Sequence, residues 1–558
     1  MTNTPRTPTA IDKVAEEWVD TLATLEPTLG TYIGRNDAND RYADLSPDGH
    51  DQYAAEVRKT LGALDALTPA DAVDEVTKAD LGSELALELE FHEAQWHLRN
   101  LNVIESAAQD IRQVYDLMPT ASTDDWSVIA ARLAAVPAAL RGYTATLQEG
   151  ISRGVVPARR QVAEVAGQIT RYTADDGFFA AFVADATPAE GELPASLARQ
   201  LADSSSAARV AYDELRQFLT TTLAPAASDV DAVGRELYAL HSRQFLGDEI
   251  DLDETYEWGR EELDRMVAEQ TAIAHEILPG STVEEAVAHL ESDPSRKLYG
   301  TDALQKWMQE TSDHAVTELG ASHFDIPEEI RTLECMIAPT QEGGIYYTGP
   351  TDDFSRPGRM WWSVPEGVTE FDTWRELTTV YHEGIPGHHL QIGQAVYNRA
   401  QLNSWRRLLA GTSGHAEGWA LYAERLMQQL GYLDDPADRL GMLDGQRMRA
   451  ARVVLDIGVH LGKPRLDGTG TWDADYALKF MRRNVNMSDE FVQFEVNRYL
   501  GWPGQAPSYK VGQRIWEQVR DAYKTQQGEA FDIKQFHKRA LDLGGVGLAT
   551  LRTALLTK

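Results

Sequence analysis

Cysteine is almost absent: Cys335 is the single one in 558 residues. One thiol excludes a disulfide framework and reads as a small buried apolar side chain. Long apolar runs are missing too. No stretch approaches the ~18 apolar residues of a membrane-spanning helix. The opening MTNTPRTPTAIDKVAEEW holds no apolar segment of the signal-peptide kind. These absences lead to the expectation of a cytoplasmic protein with no membrane partner. Basic residues are in short supply, 52 Lys and Arg against 87 Asp and Glu, for a formal net charge of −35. A field of that sign repels phosphate backbones, so nucleic acid is not an expected partner. Nothing in the sequence fixes the oligomeric state.

What remains is an ordinary globular composition, 43% hydrophobic and 25% charged, on a chain long enough for two lobes. The expectation is one catalytic unit with a helical N-terminal lobe over 1–280 and a metal-binding lobe over 281–558. Helical spacing of apolar residues runs through Leu81–Leu98, Ile129–Leu147 and Ala207–Leu223. Turn-rich segments separate such helices at Asp185–Leu197, Leu223–Val230 and Leu278–Ser281. One region departs from this pattern. Gly343–Val364 carries two aromatic, β-favouring runs, Ile345-Tyr346-Tyr347-Thr348 and Met360-Trp361-Trp362-Ser363-Val364, around a Gly/Pro/Asp loop. That predicts a small hairpin or paired strands. An edge strand there, with Tyr346 on it, is a candidate for holding a substrate backbone by strand addition.

The chemistry concentrates at His382-Glu383-Gly384-Ile385-Pro386-Gly387-His388-His389. Imidazoles and a carboxylate are the groups that hold Zn²⁺ and activate its water. The usual H-E-x-x-H places its histidines four apart on one helix. Here six positions separate His382 from His388. On a straight helix six steps rotate by about 600°, which puts the two residues on different faces. His389 returns to the face of His382 but sits about 10 Å along the axis. A shared ion therefore requires the helix to break between Gly384 and Gly387. The preferred ligands are His382 and His388, with His389 the alternative. The helix leading in has Asp372 or Thr373 as N-cap, and Thr373 with Glu376 spells a capping box.

A zinc site needs a third protein ligand. Glu417 lies 29 residues after His388, in the helical segment SGHAEGWALYAERLMQQL, between Gly414 and Gly418, which permit close helix approach. Glu424 is the alternative on the same face, and His415 is placed to support the site from behind. A second cluster, His92-Glu93-Ala94-Gln95-Trp96-His97, is read as the surface of an uninterrupted amphipathic helix and not as a metal site.

With these elements in hand, the chain resembles the bacterial domain-of-unknown-function 885 (DUF885) family. The resemblance rests on HEGIPGHHLQ at 382–391, GHAEGWALYAE at 414–424, QRMRAARVVLDIGVH at 446–460 and PGQAPSYKVG at 503–512. It implies a large mainly α fold with a deep cleft, similar to the Taq-type metallocarboxypeptidases and more distantly to angiotensin-converting enzyme and oligopeptidases. It also makes Tyr509 similar to a late tyrosine of related peptidases whose hydroxyl serves the oxyanion, with Tyr499 and His460 as weaker candidates. Arg449, Arg452, Asp456 and His460 recur at spacings of 3, 4 and 4, which puts them on one helix face. An arginine there suits a substrate carboxylate, and so does an internal Arg–Asp pair. The expectation is a peptide hydrolase with one Zn²⁺ per chain acting on a peptide or acyl-amino acid, with Glu383 as general base. A metal-dependent hydrolase of non-peptide amides and a noncatalytic helical binding protein are the alternatives.

Overall fold

The computed structural model describes residues 5–189, 191–338 and 344–557, so Gly343 of the expected β region lies outside it. Helix makes up 69% of the chain and strand 4%, which is the mainly α class that the apolar spacing predicts.

Three helices open the chain: α1 (Ala10–Leu25), α2 (Pro47–Asp65) and α3 (Ala72–Glu93). Trp18, Val57, Leu81 and Leu85 pack among them, and the layer closes on Trp405 from far along the sequence. α4 (Thr123–Arg153) and α5 (Ala195–Phe218) form a second core from the apolar stripes that gave them away, with Leu133, Leu140, Leu201 and Leu215 buried. The largest core gathers residues from Tyr238 to Leu555, beginning ahead of the boundary expected at 280, and α6 (Leu252–Ile277) belongs to it.

Two small sheets follow. β1 (Lys297–Tyr299) pairs antiparallel with β5 (Glu370–Asp372), and β2 (Leu333–Ile337), β3 (Ile345–Thr348) and β4 (Gly358–Trp362) form a sheet of order β2-β4-β3. The two aromatic runs pair as the hairpin expectation has it, β3 antiparallel to β4 with Ile345 opposite Trp362. β2 joins β4 in parallel, an addition the aromatic runs did not announce. β3 is an edge strand, with Tyr346 half-exposed and stacked on Trp361.

The site-bearing helices are α7 (Thr373–Glu383), α8 (His388–Tyr397), α9 (Ser413–Gln429), α10 (Pro436–His460), α11 (Asp489–Gly501) and α12 (Gln505–Gln527). α9 and α12 cross at glycine: a Cβ on Gly418 would lie 2.4 Å from the Gly512 carbonyl carbon, so only hydrogen fits there.

Two local expectations fail. Thr373 makes no capping box: Asp372 is the N-cap of α7, without a side-chain cap bond, and the Thr373 hydroxyl donates to the Arg296 carbonyl instead, at 3.0 Å. The helix through His92 is interrupted. α3 ends at Glu93, Gln95 takes a left-handed φ of +57°, and Trp96–Leu98 form a separate short turn. His92 and His97 face a cavity rather than an open helix surface.

Candidate metal centre

α7 ends at Glu383 and α8 begins at His388, so the helix breaks where the sixfold spacing requires it. Gly387 shows why the break holds glycine: a Cβ there would sit 1.8 Å from the His382 carbonyl oxygen. The turn is held from across the site. Trp419 Nε1, fully buried on α9, donates to the Pro386 carbonyl at 2.8 Å and reaches the Gly387 carbonyl at 3.2 Å. Removing that donor would leave a buried carbonyl unpaired, a cost of about 1–3 kcal/mol. Two residues before Trp419, the same helix presents Glu417.

The break folds His388 back onto His382, with the ring centroids 4.9 Å apart and the planes at 90°. Ligand atoms of His382, Glu383 and His388 all lie within 4.8 Å of one another, the one such group of three among the described residues. Glu417 Oε2 lies 3.1 Å from His382 Nε2 and 3.5 Å from His388 Nε2. Ligand bonds of about 2.0–2.1 Å in a tetrahedral zinc site place neighbouring donor atoms roughly 3.3–3.4 Å apart. The measured spacings bracket that edge length. The donor set, two imidazoles and one carboxylate, is also that of a zinc site with an open position. The residues therefore fit the ion.

Glu424, the alternative ligand, does something else. It lies behind His382, whose Nδ1 donates to Glu424 Oε1 at 2.7 Å, which leaves Nε2 turned to Glu417. A carboxylate in that place fixes the tautomer and orientation of the imidazole. The line continues through buried groups. Gln446 Nε2 donates to Glu424 Oε2 at 3.2 Å, and Lys510 Nζ donates to Gln446 Oε1 at 2.6 Å, to Gln513 Oε1 at 3.0 Å and to Glu262 Oε1 at 2.9 Å. All three ammonium protons are used. The Lys510 network was not legible beforehand, because its members come from α6, α9, α10 and α12.

His389, the other alternative ligand, has no nitrogen to offer. Its Nε2 donates to the Ile330 carbonyl at 2.7 Å and its Nδ1 accepts from Tyr347 Oη at 2.9 Å. His460 is likewise engaged with backbone, donating from Nε2 to the Tyr499 carbonyl at 3.0 Å and accepting from Val233 N–H at 3.4 Å. His415 packs on Trp516, buried, and Gln391 Nε2 lies 3.3 Å from its Nδ1.

The two arginines of α10 part company. Arg452 donates to Tyr499 Oη at 2.6 Å and to Glu495 Oε2 at 2.8 Å, and Glu495 also receives Arg498. That is a closed, buried ionic knot, and it includes Tyr499. Arg449 has no ion pair among the described residues, and its Nε is buried without a partner. Its charge acts on Glu383 and Glu424, so it faces the metal cluster. Tyr509 stacks between them, with Arg449 5.7 Å and Arg452 5.1 Å from the ring centroid. Burial, and then the charge of Glu417, push its hydroxyl up to about 12, so the phenol is a proton donor at neutral pH.

The carboxylates of the cluster are shifted in opposite directions. Burial pushes Glu417 up, but the charge of His388 and hydrogen bonds from His382 and His388 hold it well below the usual carboxylate range. Burial raises Glu383, and the nearby imidazoles offset this only in part. Its carboxylate accepts no hydrogen bond among the described residues, as suits a group that must take up a proton.

The chain matches the DUF885 model, described as a bacterial protein of unknown function, over residues 27–555. Among curated proteins none matches in sequence. Solved structures share the fold. A "putative lipoprotein" from Colwellia psychrerythraea has a TM-score of 0.85 at 22% identity, covering 98% of each chain. A second protein so described, of unknown function, from Shewanella oneidensis, has a TM-score of 0.77 at 18% identity over 98% of this chain and 100% of that one. These neighbours overturn the expected cytoplasmic location, because proteins named as lipoproteins are membrane-anchored or secreted. The described residues contain no helix long and apolar enough to cross a membrane. The carboxypeptidase of Pyrococcus furiosus aligns at a TM-score of 0.34 and 12% identity over 91% of this chain and 95% of that one, too loosely to carry an argument.

Proposed function

The chain belongs to the DUF885 family, described as a bacterial protein of unknown function, and from the site itself we propose that it is a zinc-dependent peptide hydrolase acting on substrates with a free C-terminal carboxylate. The observation that carries this reading is the convergence of His382 Nε2, His388 Nε2 and Glu417 Oε2 at 3.1 and 3.5 Å beside Glu383, whose carboxylate accepts no hydrogen bond among the described residues.

His382, His388 and Glu417 would hold the ion. Zn²⁺ bound there supplies Lewis acidity, lowering the pKa of a water and polarising the scissile carbonyl. Glu383 takes the proton of the attacking water and returns it to the leaving amine, a role that its burial-raised pKa suits. Tyr509 donates its phenolic proton toward the developing oxyanion. Arg449, which has no ion pair among the described residues, binds the substrate carboxylate through its fork. That places the scissile bond near the C-terminus, as in a carboxypeptidase or a peptidase of short oligopeptides. Tyr346 and the edge of β3 offer a backbone to an extended substrate.

The test is elemental analysis and peptide hydrolysis of wild type beside Glu417→Ala and Glu383→Gln. Wild type is expected to hold about one zinc per chain, Glu417→Ala to lose it, and Glu383→Gln to keep it while hydrolysis falls by about 10²–10⁴-fold. Full zinc in Glu417→Ala removes that ligand, and undiminished hydrolysis in Glu383→Gln removes the base. Wild-type hydrolysis of acyl-amino acids but of no peptide replaces the peptide substrate with a simpler amide.

A further inference from the structure

A cavity of about 400 Å³ lies in the N-terminal part of the molecule, lined from α2, α3, α4 and the segments at Glu26 and 96–110. Four carboxylates reach it: Glu26, Glu88, Glu105 and Asp110. None has an ion pair among the described residues, although most arginines of this chain are paired. An acidic protein can leave carboxylates unpaired at its surface at no cost. Inside a cavity they repel one another, and Glu26, Glu88 and Asp110 are each pushed up to about 7, by burial first and, for Glu26 and Asp110, by neighbouring carboxylates next.

The walls between the carboxylates are aromatic. Tyr53 and Trp96 line the cavity, and the imidazoles of His50, His97 and His92 form a row with centroids 4.8 and 5.0 Å apart. Burial holds His50 below its ordinary value and His97 at about 4, which favours the uncharged form of both rings. This is the composition of a site for a desolvated cation: negative charge at several points and electron-rich rings between them. The arrangement argues against a metal ion. No three ligating side chains here bring their donor atoms within 4.8 Å of one another, as His382, Glu383 and His388 do. The charges are spread around a volume that falls in the usual range of small-molecule pockets.

We propose that this cavity binds a linear organic polycation carrying two or three ammonium groups, independently of the metal centre. The separate carboxylates take the ammonium groups, and the ring faces cover the methylene stems between them. The His92-Glu93-Ala94-Gln95-Trp96-His97 segment is then one wall of a ligand site, and the left-handed Gln95 is the turn that sends both Trp96 and His97 into it.

The experiment is isothermal titration of zinc-loaded protein with spermidine, then with Mg²⁺ or Ca²⁺ alone, in wild type, Glu26→Gln/Glu88→Gln, and an exposed control pair, Glu75→Gln/Glu214→Gln. Expected is saturable binding of one spermidine per chain, weakened at least tenfold in the cavity pair and unchanged in the control pair. A melting scan of each variant checks the fold, and salt titration of the wild type serves if the cavity pair does not fold: affinity must fall steeply between 50 and 300 mM salt. The proposal is overturned by equal loss in both pairs, by absence of saturation at millimolar spermidine, by salt-independent binding, or by divalent ions binding as tightly as spermidine.

Discussion

The chain places a His-Glu step beside further histidines twice, at 382–389 and at 92–97, and the two regions solve the problem of buried carboxylates in opposite ways. At the first, imidazoles lie 3.1 and 3.5 Å from Glu417, and the carboxyl is held well below its ordinary range. At the second, no cation among the described residues pairs with Glu26 or Glu88, and both are pushed up to about 7. The residue types are nearly the same. What differs is convergence: a broken helix and a second helix fixed to it by Trp419 focus three donors on one point, whereas the other cluster surrounds an open volume. Clustering of histidine and glutamate in sequence therefore does not fix the geometry of a site, and the backbone decides whether the donors converge on a point or surround a volume.

The comparison breaks first at its ligands. His388→Ala is expected to abolish zinc binding and to lower hydrolysis by about a thousandfold, since several kcal/mol of transition-state stabilisation go with the metal. His389→Ala, next to it in sequence, should keep the zinc, because both nitrogens of that ring are spent on Tyr347 and Ile330. His92→Ala/His97→Ala should leave zinc content untouched. Zinc measured by atomic emission separates the three, and loss of metal from His389→Ala would reverse the assignment of the second ligand.

The two arginines of α10 give the next contrast. Arg452→Ala leaves Glu495 buried with Arg498 and Tyr499 as its remaining partners, so stability should fall by about 3–5 kcal/mol in urea unfolding. Arg449→Ala breaks no pair and should cost little stability. It should lower kcat/KM by roughly 10–100-fold for peptides with a free C-terminus and leave C-terminally amidated peptides unaffected, as expected when one charge-assisted contact of ~1.5–3 kcal/mol is lost. Equal losses on both kinds of peptide would take the carboxylate away from Arg449. A smaller effect is expected behind the metal. Glu424→Gln should weaken zinc about 10–100-fold in chelator competition, the usual consequence of removing a carboxylate that orients a ligand histidine. Unchanged zinc affinity would make Glu424 a packing residue.

These contrasts show where sequence spacing informs and where it stops. The mainly α class and the break between Glu383 and His388 were legible, the first from apolar spacing and the second because a straight helix separates the two histidines by too much rotation. Glu417 could be named from the glycines around it. The role of Glu424 could not, since Glu417 and Glu424 share a helix face and only the side from which each meets His382 distinguishes them. Arg449 and Arg452 pose the same difficulty: three positions apart, one is tied to Glu495 and the other has no ion pair among the described residues, and Glu495 lies on another helix. The cavity at His92 was hidden more deeply, because Glu26, His50 and Asp110 come from three separate segments and a single left-handed residue, Gln95, ends what looks like continuous helix.

The finest test concerns the unpaired carboxylates alone. Glu26 and Glu88 have folded-state values of about 7 against 4.5 when unfolded, so the folded protein binds more protons than the unfolded chain between those limits. Their contribution to stability is fully present below pH 4.5, is lost as pH rises through 7, and is flat above. Both side chains are partly solvated, so the screened effect is about 1–2 kcal/mol for the two together. Unfolding free energy of the metal-loaded wild type, measured at low salt without any polyamine, should therefore decline from pH 4.5 to 7.5 more steeply than that of Glu26→Gln/Glu88→Gln. The difference between the two curves isolates these groups from Asp110 and Glu84, which are raised in the same direction. Parallel curves would mean that some group within the cavity already compensates the two carboxylates, and the contrast with the metal centre would disappear.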